Sequence, residues 1–171
     1  MTLGIIVLAL VTLQRLGELW LARRNTRALL AQGGVEIGAG HYPLIVSLHA
    51  AWLAGLWVLA WARPVEPVWL GVFVILQLLR VWVIASLGGR WTTRIILLPG
   101  TPLVRRGPYR FVRHPNYLVV AGEIAVLPLA FGLPVFALVF SVVNAGVLWI
   151  RIAAESKGLD RSQRAEPVVP A

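Results

Sequence analysis

The chain contains no cysteine. That absence removes disulfide bonds, thiolate metal sites and a cysteine nucleophile, and it leaves the redox compartment unmarked. Charge is scarce too: 13% of the 171 residues are Asp, Glu, Lys or Arg, where soluble domains carry about a quarter. Only 7 residues are acidic, against 16 basic ones. There is no Ser/His/Asp constellation, no internal repeat and no low-complexity segment. Length allows one domain or two very small ones, which excludes a multidomain soluble enzyme. What is abundant is apolar surface: 58% of residues are hydrophobic and the mean hydropathy is +0.79. A soluble domain averages about half apolar residues, so the chain reads as a membrane protein.

A bilayer-spanning helix needs about 20 mostly apolar residues. Residues 3–22, 43–62 and 68–87 each supply such a run. The last apolar stretch, 118–150, is interrupted at Pro128 and again at Gly132-Leu133-Pro134, and reads as two short helices joined by a tight turn. The expected fold is an all-α integral membrane protein of about five transmembrane helices. Its last two helices form a short hairpin, and a structured loop precedes the fourth. One membrane domain is expected over 1–159, with its ligand-binding part at 88–159, followed by a disordered tail over 160–171. No Lys or Arg precedes the first run and Arg23-Arg24 follow it, so the N-terminus reads as an anchor and not a cleavable signal.

The bases fix an orientation. Arg23, Arg24 and Arg27 follow the first span; Arg90, Arg94, Arg105, Arg106, Arg110 and Arg113 lie between the third and fourth; Arg151, Lys157, Arg161 and Arg164 follow the fifth. If the helices alternate, all of these share one side and only Arg63 faces the other. The positive-inside rule then puts the N-terminus outside and the C-terminus in the cytoplasm. The net charge of +9 is thereby assigned to topology and lipid contact, and no nucleic-acid partner is expected. Trp20, Trp61, Trp69 and Trp149 fall near helix ends, as an interfacial belt requires.

Ionisable groups inside spans are costly and need partners. Arg15 and Glu18 stand three apart, within reach of each other on a helix. Gln77 cannot neutralise Arg80, which therefore needs a carboxylate or a polar cavity. His49 reads as a hydrogen-bonded helix contact, and no partner at metal spacing accompanies it. Glu123 needs a cation, for which Arg113 and Arg151 are the candidates.

Between the third and fourth runs, residues 88–117 contain six Arg, four Pro and four Gly. No regular helix tolerates that composition. Irregular backbone beside a membrane is buried in protein or lines a wet cavity, although a solvated basic loop would fit the composition equally well. The order of residues favours the cavity. Gly107-Pro108-Tyr109-Arg110-Phe111-Val112-Arg113-His114-Pro115-Asn116-Tyr117, followed after an apolar hairpin by Arg151-Ile152-Ala153-Ala154-Glu155, resembles the isoprenylcysteine carboxyl methyltransferase family of integral membrane enzymes. The resemblance is strongest over about residues 80–159. The block Trp91-Thr92-Thr93-Arg94, the run His41-Tyr42-Pro43-Leu44-Ile45-Val46 and the small size resemble the short bacterial branch, which includes alkylpyrone O-methyltransferases. Two departures are visible: Ser156 stands where the family usually has a second acid, and the chain ends soon after this helix, unlike larger members.

The resemblance implies a methyltransferase that uses S-adenosyl-L-methionine without a Rossmann fold. The absence of Gly-x-Gly-x-x-Gly agrees with that. It implies a cofactor pocket made by Thr101, Pro102, Leu103, Val104, Tyr109, His114, Pro115, Asn116 and Tyr117, with Glu155 holding the cofactor and Arg151 or Arg113 facing the methyl acceptor. No metal is implied. Arg151 and Glu155 are one helical turn apart and share a face. Pro115 presets the first turn of a helix whose free N–H groups favour a carboxylate. Methyl transfer from a sulfonium to an anionic oxygen neutralises charge, so alignment in a dry pocket supplies much of the rate. The implied partner is a lipophilic small molecule with a prenyl or alkyl chain entering from the bilayer, and the implied location is a bacterial cytoplasmic membrane. Three alternatives stay open on sequence: a phospholipid N-methyltransferase using Glu123 as proton acceptor, a nicotinamide-binding relative of the membrane sterol reductases, and a non-enzymatic membrane protein. The oligomeric state is not readable.

Overall fold

The first apolar run forms α1 (Thr2–Ala31). The helix outlasts the apolar run because Arg23-Arg24-Asn25 ends hydrophobicity and not helicity; no Gly or Pro intervenes before Gly33-Gly34. A short strand β1 (Val35–Ile37) and a 3-10 turn at Ala39–His41 lead into α2 (Tyr42–Ala60), which carries Pro43 in its first turn. Then come α3 (Pro67–Leu87), a second strand β2 (Ile95–Leu97), α4 (Pro115–Ala130) and α5 (Pro134–Ala165). The two strands pair antiparallel with Glu36 opposite Ile96, a ribbon that the sequence reading lacks. This computed structural model describes residues 2–102 and 104–165.

An integral membrane protein results, with five α-helices among the described residues. Four of them, α1, α2, α3 and α5, are long and apolar enough to cross a bilayer. The 16-residue α4 spans about 24 Å at 1.5 Å per residue, less than the hydrocarbon thickness of about 30 Å. The expected short hairpin is corrected accordingly: α4 is short, whereas α5 has 32 residues. The helix runs on through 160–165, where a disordered tail was expected, because that segment is built of helix-compatible residues without a proline. Residues 166–171 of that tail lie outside the described residues.

Pro128 does not break α4. It lies inside the helix, and the turn between the last two helices falls at 131–133. A proline removes the N–H that would reach the carbonyl four residues back, here that of Ile124. The buried Trp52 indole of α2 donates to that carbonyl instead, at 3.2 Å. The helix continues because a neighbour supplies the missing donor.

Burial is inverted relative to a soluble bundle. Leu78 is 65% exposed, while Arg80, two positions later on α3, is 6% exposed. Arg80 sits in an ionic cluster between α1, α3 and α4. Its Nε and Nη2 donate to Glu18 at 2.6 and 2.8 Å, and its Nη1 donates to Glu123 at 2.8 Å. Arg15 bridges the same two acids at 2.8 and 2.9 Å. Gln14 and Gln77 complete the ring through Glu18 and Glu123. The Arg15–Glu18 pair thus forms as spaced. The cations of Glu123 are Arg15 and Arg80, and the expectation of Arg113 or Arg151 is corrected. Spacing along one helix cannot reveal a partner on another.

An apolar core of Leu8, Trp52, Leu56, Ile124, Leu127 and Phe131 fills one half of the bundle. A smaller one, Ala22, Val83, Trp91 and Val119 with Tyr109 against it, closes the other. That second end gathers the last turns of α1 and α3, the ribbon, the start of α4 and the late turns of α5. Asn25 ties it together by donating to the carbonyls of Gly88 and Trp91.

Candidate active site

The arginine-rich stretch is anchored at three points. Arg106 Nε donates to the Ser86 carbonyl at 2.8 Å and Arg90 Nη1 to the Pro102 carbonyl at 2.7 Å. Gly107, with φ 58°, lies directly against Ser86, where any Cβ would collide with its hydroxyl. The next residues make a 3-10 turn, Gly107–Arg110, which presses Tyr109 against Trp91 and Val119. The chain then enters α4 with His114 as the preceding residue and Pro115 at the helix start, as proline's fixed φ favours.

From that helix start, Tyr117 faces the late turns of α5. Its hydroxyl donates to Glu155 Oε2 at 2.6 Å and accepts from Arg151 Nε at 2.8 Å. Arg151 also donates through Nη1 to the Thr93 carbonyl at 2.7 Å. His114 stacks on Tyr117 with ring centroids 5.2 Å apart, and its Nδ1 stands 3.8 Å from Glu155 Oε2. Arg151 is buried, and its guanidinium lies 5.5 Å from the Tyr117 ring centre. Burial, with the Glu155 carboxylate adding to it, pushes the Tyr109 hydroxyl up to about 12. Tyr109 therefore belongs to the same neighbourhood.

Several polar atoms in this group remain open. Asn116 Oδ1 is buried without a partner. Among the described residues, Glu155 Oε1 and Arg151 Nη2 make no hydrogen bond. Buried polar atoms are nearly always satisfied, so an acceptor left idle on the residue before Tyr117 suits a polar ligand.

Of the residues expected at the site, Tyr109, His114, Tyr117, Arg151 and Glu155 come together, with Pro115 and Asn116 in the intervening turn. Pro102 and Val104 instead line a basic hollow of about 390 Å³ with Leu87, Arg90, Arg105 and Arg106. Thr101 is exposed and caps its own turn through the Leu98 carbonyl. Leu103 lies outside the described residues. Arg113 is exposed and makes no hydrogen bond among the described residues. Sequence reasoning missed Thr93, whose carbonyl anchors Arg151. The signal available was the Trp91-Thr92-Thr93-Arg94 block near the start of the arginine-rich stretch.

Comparison with known proteins gives the family. The family model described as Isoprenylcysteine carboxyl methyltransferase (ICMT) family matches residues 69–161, the segment that holds Tyr117, Arg151 and Glu155. "Uncharacterized protein YpbQ" of Bacillus subtilis is 38% identical over 159 residues, covering 90% of this chain and 95% of that protein. An "Uncharacterized protein" of Haemophilus influenzae is 25% identical over 151 residues, covering 80% of this chain and 88% of its own length. No solved structure matches. With more than half of its length matched by that family model, the chain belongs to the isoprenylcysteine carboxyl methyltransferase family of membrane methyltransferases.

Proposed function

We propose that the protein is a membrane-embedded, S-adenosyl-L-methionine-dependent O-methyltransferase. Its acceptor is the carboxylate or acidic enol or phenol oxygen of a lipophilic molecule with a prenyl or alkyl chain. One observation carries this reading: Arg151, the Tyr117 hydroxyl and Glu155 join α5 to the start of α4, and Arg151 is tied as well to the Thr93 carbonyl in the bend before β2. The idle Asn116 Oδ1 and the open edges of Arg151 and Glu155 support a ligand that bears both an anion and hydrogen-bond donors.

Bound S-adenosylmethionine supplies an electrophilic methyl group on a sulfonium. Glu155 would hold the cofactor's ammonium or ribose hydroxyls, and Asn116 Oδ1 would accept from a further donor. His114 and Tyr117 offer stacked aromatic faces suited to a cation or a base. Arg151, not the exposed Arg113, would hold the acceptor's anionic oxygen. A guanidinium offers a planar, cationic fork to such a group. An acceptor already ionised near neutrality needs no strong base, so orientation and exclusion of water are the tasks left to the protein.

The apolar groove of about 210 Å³ between α3 and the start of α4, lined by Trp82, Phe111, Pro115 and Leu118 among others, supports entry of the chain from lipid. The basic end supports a cytoplasmic face for that end, in a bacterial cytoplasmic membrane. The phospholipid N-methyltransferase reading loses its proton acceptor, because both Glu123 oxygens are occupied by Arg15, Arg80 and Gln77.

The test is equilibrium binding of radiolabelled S-adenosylmethionine to the detergent-purified chain. Wild type is expected to bind, and Glu155→Ala and His114→Ala to lose at least about tenfold in affinity, since charged hydrogen bonds contribute roughly 1.5–3 kcal/mol. A folded wild type that binds none overturns the reading. Methanol released by base from the labelled lipid product marks an ester, and its absence an ether.

A further inference from the structure

The connection between α1 and α2 reaches the candidate active site, although it lies wholly outside residues 69–161 matched by the family model. Glu36 of β1 receives Arg94 Nη1 on both carboxylate oxygens at 2.9 Å. The same guanidinium lies 4.4 Å from the centre of the Tyr42 ring. The Tyr42 hydroxyl is 3.2 Å from Thr93 Oγ1, and Thr92 Oγ1 donates to the Arg94 carbonyl at 2.6 Å. Thr93 is thus gripped from both sides, and its carbonyl is the acceptor for Arg151 Nη1. Gly38 lets this connection come close: at φ 64° it is wedged against the His41 ring, and a Cβ there would stand 3.3 Å from that of Ala154, the neighbour of Glu155.

A guanidinium held at one nitrogen can still swing about its own axis. Arg151 is held at two, by Tyr117 on α4 and by Thr93 in the bend before β2, which fixes the plane of the fork and aims the remaining Nη2 edge. We propose that Glu36 and Tyr42 are positioning residues for Arg151, acting through Arg94 and Thr93 to orient the guanidinium toward the methyl acceptor. The inference rests on the methyltransferase reading for what Arg151 binds, but not for where Arg151 points. An isolated surface ion pair contributes little to stability. Its role here is directional, because Arg94 is held at Nη1 by both Glu36 oxygens and its guanidinium carbon lies over the Tyr42 ring, two contacts that together limit how it can turn.

Two arms test this. The first follows the side-chain Nε–H resonance of Arg151 in protein labelled with 15N-arginine, identified by its loss in Arg151→Lys. Tyr42→Phe and Glu36→Gln are each expected to shift or broaden it, and the exchange Glu36→Arg with Arg94→Glu to restore it. A resonance unmoved by both single substitutions overturns the proposal. The second arm measures turnover of a long-chain alkyl hydroxypyrone with labelled S-adenosylmethionine. The single variants are expected to raise KM for the pyrone about two- to tenfold, the range one lost hydrogen bond gives. Cofactor affinity stays unchanged and the exchanged pair comes back toward wild type. An equal loss of cofactor affinity, or a fall in kcat alone, also overturns it. A wild type that binds no cofactor removes the methyltransferase reading, and the resonance arm then decides the positioning claim by itself.

Discussion

Two clusters of arginine and glutamate share α4, and they differ in whether they are finished. In the buried one, all four carboxylate oxygens of Glu18 and Glu123 accept from Arg15, Arg80, Gln14 or Gln77. Only Arg15 Nε is buried without a partner there. In the cluster at the helix start, Glu155 uses one oxygen, Arg151 leaves an edge open, and the neighbouring Asn116 Oδ1 has no partner. A saturated set of charges has no valence left for a ligand and acts as a clasp between helices. An unsaturated set at the same kind of cost is what a binding site requires. Ionisable residues in a membrane are suspects by type, and saturation separates the structural ones from the chemical ones.

The sharpest way to break this distinction is to remove one charge from each cluster. Glu123→Leu leaves Arg15 and Arg80 to share Glu18 alone, one uncompensated charge in the bundle, and breaking a buried pair destabilises by about 3–5 kcal/mol. A large fall in the thermal unfolding temperature in detergent is expected. Removing both partners in Arg80→Met/Glu123→Leu keeps the cluster neutral and is expected to recover much of that loss. Glu155→Ala removes roughly one hydrogen bond, about 1 kcal/mol, and leaves unfolding nearly unchanged while binding of S-adenosylmethionine collapses. If Glu155→Ala unfolds the chain as badly as Glu123→Leu, the two clusters are alike and saturation does not separate them.

Much of this was legible from sequence, and unevenly so. The helices could be read because apolar length is a local property, and the trio Tyr117, Arg151 and Glu155 because motif order fixes it. The pairing of Glu123 with Arg80 and Arg15 could not, since their contacts cross 43 and 108 positions and depend on which helices touch. The ribbon was invisible because three residues per strand carry no periodic signal. Pro128 misled because its effect is settled by Trp52 on another helix.

That last contact gives a smaller effect that can be isolated. Trp52→Phe keeps most of the packing but leaves the Ile124 carbonyl buried and unpaired, at about 1–3 kcal/mol. Pro128→Ala restores an N–H four residues on, within α4 itself. The cost of Trp52→Phe should therefore shrink in the Pro128→Ala background, a coupling readable from a double-mutant cycle of unfolding temperatures. Additive costs would mean that the indole serves only as filler.

The smallest effect concerns how dry the open cluster is. Tyr109 ionises at about 12 because it is buried and because the Glu155 carboxylate lies near. Its folded state thus favours the neutral phenol, whereas the unfolded chain ionises near 10. Between those values the unfolded state binds fewer protons, so stability falls as pH rises, and Tyr109→Phe should flatten that fall. Tyrosinate absorbance can follow the three tyrosines directly, and the step missing in Tyr109→Phe is expected near 12. Glu155→Gln should move that step down, because a carboxylate whose charge is not fully taken up by protein donors still acts on its neighbours. A Tyr109 step near 10 that ignores Glu155 would mean that water already fills the space beside Glu155, and would remove the dry pocket on which an orientation-driven methyl transfer depends.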